Sequence, residues 1–67
     1  MEINEKIAQL ILDVISFELI KIKPNLDPFS VIELSRMHFL DFCKAYNIEK
    51  IGLEKNSQKL LDNLLNP

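Results

Sequence analysis

The segment EINEKIAQLILDVISF, residues 2–17, carries Ile3, Ile7, Leu10, Ile11, Val14 and Ile15 at helical spacing. At 100° per residue its polar members Glu5, Lys6, Gln9, Asp13 and Ser16 gather in one narrow wedge, so the apolar arc covers more than half the circumference. One neighbouring helix cannot hide so wide an arc. Two arrangements can. The helix is either the centre of a core covered by two others, or it also packs on another chain. Carrying the helix on through ELIKIK places Glu18 and Lys21 inside the apolar arc, so the periodicity predicts that it weakens near Phe17.

The chain has 67 residues, which is one domain spanning 1–67. A core this small is marginal without help from a disulfide, a metal or a partner. Cys43 is the only cysteine, so an internal disulfide is excluded and no cysteine zinc site can be assembled. Good helix packing or a partner chain is the remaining support, and the composition favours a partner, either a second copy or a different protein. The net charge is −2 with acids and bases interspersed, leaving no basic block for nucleic acid or anionic lipid. The apolar run from Ile7 to Ile22 is broken by Asp13 and Glu18 and falls short of the roughly 20 residues that span a bilayer. The acidic start MEINEK is unlike a signal peptide, and with one cysteine it points to the cytoplasm.

A second helix is announced by LDPFSVIEL, residues 26–34. Asp27 suits the N-cap, Pro28 the first helical position, and Leu26 with Val31 the hydrophobic staple. The helix is expected from Pro28 to Tyr46, with Asn47 closing it in the left-handed conformation. Its expected core face is Phe29, Ile32, Phe39, Phe42, Cys43 and Tyr46. Leu34, Met37 and Ala45 lie on the other side as a smaller apolar strip. A third helix, SQKLLDNLL, is expected to start at Asn56 or Ser57 as cap and to bury Leu60, Leu61, Leu64 and Leu65. The fold class is therefore all-α: a small three-helix bundle, with room for a fourth short turn near IEKIGL, and oligomeric. No heptad is sustained over three turns.

Chemistry-bearing residues are few. His38 and Asp41 stand three apart on one helix, but no third metal ligand has an evident place. Cys43 is flanked at helical spacing by Phe39 and Tyr46, the setting of a buried structural thiol rather than a nucleophile. Ser30, Ser35 and Ser57 lack a glycine elbow, and one glycine builds no phosphate cradle. These patterns predict no enzyme activity, no cofactor, no metal and no small-molecule substrate. They leave a protein-interaction module, with Ile3, Ile7, Leu10, Val14, Leu34 and Met37 as partner-binding residues.

Two resemblances add alternatives. INEKIAQLILDVI, DPFSVIEL and QKLLDNL together resemble acyl carrier proteins, through Asp27, Phe29, Ile32, Glu33, Leu34, Phe42, Gln58, Leu61, Asp62 and Leu64. The pantetheine-bearing serine of that family falls on Pro28, and the first loop is shorter than the family's. The resemblance thus implies a carrier-like docking domain that cannot carry the cofactor. LDFCKAYNIEKIGLEKNSQKLLDNLL is similar to helix–extended–helix modules of the SAP and Rho N-terminal type, through Leu40, Cys43, Lys44, Ile48, Leu60, Leu61, Leu64 and Leu65. That likeness implies a small nucleic-acid-binding regulator with Lys44, Lys50, Lys55 and Lys59 facing phosphates. Glu49, Glu54 and Asp62 neutralise the same region, so nucleic acid is the disfavoured partner.

Overall fold

The structure, a computed structural model, describes residues 3–49 and 52–66. Three helices form, α1 (Glu5–Ile22), α2 (Pro28–Ala45) and α3 (Leu53–Leu65), and each packs on the other two. No β-strand forms among the described residues, and no helix there is long and apolar enough to cross a membrane. Of the expected fourth turn near IEKIGL, Lys50 and Ile51 lie outside the described residues.

Helix α1 starts where Asn4, in extended conformation, accepts the Ile7 amide on its side chain at 2.9 Å. Ile3 precedes that cap and so leaves the helical face. It folds into the core, standing at the staple position opposite buried Ala8. The expected weakening near Phe17 does not occur. The helix continues to Ile22 because Glu18 and Lys21 stand on its open side, paired at 3.7 Å, with Lys21 Nζ 5.5 Å from the centre of the Phe17 ring. Lys23 ends it in a non-helical conformation, as a residue before proline does.

The core row of α1 also differs from the one its periodicity suggested. Ala8, Leu12 and Ser16 are buried, with Ile11 and Ile15 half-buried beside them. Ser16 leaves the polar wedge assigned to it and satisfies its hydroxyl on the Asp13 carbonyl at 2.8 Å. A small residue on this line lets a neighbouring helix approach closely.

Helix α2 begins at Pro28 behind the Asp27 cap. Val31, Ile32, Ser35, Phe39 and Cys43 are its buried residues. Phe29 and Tyr46, expected in the core, are 61% and 65% exposed. Phe29 sits about 120° from Ser35, the centre of the buried face, at 100° per residue. Tyr46 is the C-cap, beyond the last turn, and its ring stays outside, 5.0 Å from the half-buried Phe42 ring. Asn47 takes φ 53°, the left-handed closure expected of it.

Helix α3 starts a turn earlier than its cap residues suggested. Gly52 adopts φ 70° at the N-cap, and the Asn56 amide donates to the Gly52 carbonyl at 2.9 Å. Asn56 and Ser57 therefore lie inside the helix and are buried against its neighbours. Leu60 completes the core from this side, with Leu53, Leu61 and Leu64 packed on it, while Leu65 stays outside. Arg36 of α2 reaches Glu54 in the first turn of α3 at 2.6 Å.

Candidate interaction surface

Because α1 buries the line Ala8–Leu12–Ser16, the line on its far side faces out. Ile7, Leu10, Val14 and Phe17 occupy it, about 180° from Leu12. They are 45, 63, 54 and 64% exposed, whereas Leu12 is fully covered. Four large apolar side chains in one unbroken row, over nearly three turns, form an exposed apolar surface that α2 and α3 flank without covering. Polar residues border it: Asp13, held by the Gln9 amide at 2.9 Å, on one edge, and Glu18 with Lys21 toward its C-terminal end. Toward α2 the row opens into a mostly apolar groove lined by Val14, Ile15, Leu19, Ile22 and Phe42, with Glu18 and His38 at the rim.

Of the six partner-binding residues expected from sequence, Ile7, Leu10 and Val14 stand together on this row. Ile3 is covered by the chain's own core. Leu34 and Met37 stand on α2, Leu34 half-buried and Met37 exposed. They stand on a different helix, Leu34 in a cleft with Leu26 and Phe29, and do not extend the α1 row. Phe17 was missed as a surface residue. The signal was present, since Ile7, Leu10, Val14 and Phe17 are spaced 3, 4, 3, but the helix was expected to weaken there.

The other candidate chemistry is dispersed. Ser30 Oγ donates to Asp27 Oδ1 at 2.6 Å, and that bond is the main reason the Asp27 carboxyl sits below its ordinary pKa. Pro28, where the carrier resemblance would put a serine, opens α2 and has no side-chain hydroxyl. His38 faces the apolar groove and Cys43 is buried at 3% exposure. Among the described residues, no three His, Cys, Asp or Glu side chains converge as metal ligands would. Each described lysine of the nucleic-acid set has acidic company. Lys55 Nζ lies 3.8 Å from Glu5, Lys59 shares a cleft with Glu5 and Asp13, and Lys44 shares one with Asp41. Lys50 lies outside the described residues.

Compared with protein-family models, curated proteins and solved structures, the chain matches none of them.

Proposed function

We propose that this chain is a non-enzymatic protein-interaction module of the cytoplasm, acting as a homo-oligomer or as the small partner of a larger protein. Its binding surface is the outer row of α1. The observation that carries the reading is the exposure of Ile7, Leu10, Val14 and Phe17 in one line. Burying an apolar side chain of this size contributes about 1.5–3 kcal/mol, so covering the row by a partner is favourable even though the helix itself folds without it. The reading needs no catalytic or metal-binding group.

A photo-activated cross-linking residue placed at Leu10 or Val14, in cells of the native host, tests it. Adducts of defined mass are expected from both positions and not from exposed Asp62 on α3. They are expected to vanish when Ile7 and the other row position are changed to glutamate, with the circular dichroism spectrum unchanged. Equal labelling from Asp62, or none from the row, defeats the proposal.

A further inference from the structure

We infer that the occupant of the α1 row is a second copy of the same helix, packed antiparallel across a two-fold axis beside residue 12. The inference rests on the interaction-module reading and names its partner. Its basis is the spacing of the exposed residues. Ile7, Leu10, Val14 and Phe17 are separated by 3, 4 and 3, a sequence of steps that reads the same in both directions. Laid antiparallel on itself, the row places Leu10 against Val14 of the other copy and Ile7 against Phe17. Every exposed position meets another, and each contact pairs a larger side chain with a smaller one. The 3–4 spacing is that of a two-helix seam, in which residues of one helix fill the gaps of the other. A self-complementary patch of this kind is what a two-fold interface requires.

The rest of the fold permits the approach. The core residues Ala8, Leu12 and Ser16 lie on the opposite side of α1, and α3 and α2 only flank the row, through Asn56 and Lys59 beside Leu10 and through His38 and Phe42 beside Val14. Half-buried Ile11 borders the seam on one edge and meets its own copy there, closing that edge with apolar surface. From the exposures of the four row residues, each copy contributes on the order of 450 Å². Fully covered in both copies, the four residues come close to the roughly 1,000 Å² at which a specific interface begins. The dimer is therefore of the weak, concentration-dependent kind. On the second edge the two Asp13 carboxylates approach each other near the axis, each in a cleft that Lys6 and Lys59 also line.

Sedimentation of the purified chain from about 1 µM to about 1 mM is expected to show a monomer–dimer equilibrium. Orientation is read from disulfides. Leu10→Cys mixed with Val14→Cys is expected to give the mixed dimer under oxidation, in excess of either self-linked species. The unmutated chain, whose Cys43 is buried, is the control. Self-linked Leu10→Cys as the main product means parallel pairing and overturns the inference, as does a dimer that forms neither disulfide. A chain that stays monomeric to about 1 mM overturns it too. In that case, cellular adducts from Leu10 to a different protein leave the interaction-module reading standing, and their absence removes both.

Discussion

Asp27 shows how one side chain sets where an element begins. It accepts the Ser30 amide at 3.3 Å and the Ser30 hydroxyl at 2.6 Å, and its carboxyl is held below the ordinary value, first by the hydroxyl bond and then by backbone amides. A folded-state pKa lowered in this way contributes stability that is present above the unfolded value of about 3.9 and is lost as pH falls through the folded one. Asp27→Ala is therefore expected to lower the urea unfolding midpoint at pH 7. The difference from the unsubstituted chain should close as the pH is taken down to about 2.5. Unfolding curves at both pH values check this. A deficit of the same size at both would mean that the charge of the carboxylate has no part in the cap.

At the scale of elements, the start of α3 depends on backbone conformation more than on its polar residues. Gly52 at φ 70° turns the chain into the helix, in a region where a side chain costs about 1–2 kcal/mol. A Cβ placed there would also lie 2.9 Å from Glu5 Oε1 and 3.1 Å from Glu5 Cγ. The Glu5 side chain is half exposed and can swing aside, so the backbone strain dominates. Gly52→Ala is expected to destabilise the fold by about 1 kcal/mol. Adding Glu5→Ala should not restore it. A rescue seen in the double variant's thermal melt would instead place the cost in the collision.

The whole molecule spans 34 × 21 × 14 Å between Cα extremes, about two helix layers in its thinnest direction. In so thin a bundle every helix has a covered side and an open one, and the open side of α1 happens to be apolar. Its covered side is correspondingly critical. Leu12 is fully buried, and truncating such a leucine to alanine costs about 2–5 kcal/mol. A chain of this length has only about 3–10 kcal/mol in total. Leu12→Ala is expected to unfold much of the population at 37 °C, visible as lost helical circular dichroism, whereas glutamate at Val14 two residues on leaves the fold intact. Equal loss from both would show that the outer row belongs to the core.

Amino-acid order alone determined the helical class, the Asp27–Pro28 start of α2 and its left-handed closure at Asn47, because caps and turns act within a few residues of chain. It also showed that the apolar arc of α1 is wider than one neighbouring helix can cover. Which line of α1 turns inward was decided only by packing. The centre fell on Ala8, Leu12 and Ser16 because small residues there admit close neighbours, and a wheel with apolar residues over more than half its rim does not show its own midpoint. The same held for α3. Asn56 and Ser57 are good caps by composition, yet the bundle needed the helix to begin at Leu53, and the glycine before it made that start available. Phe29 and Tyr46 read as core on periodicity and stand exposed, one too far around α2 and the other past its end. Local signals set the ends of α2, and the contacts among three short helices chose the buried faces and so left the Ile7–Phe17 row open.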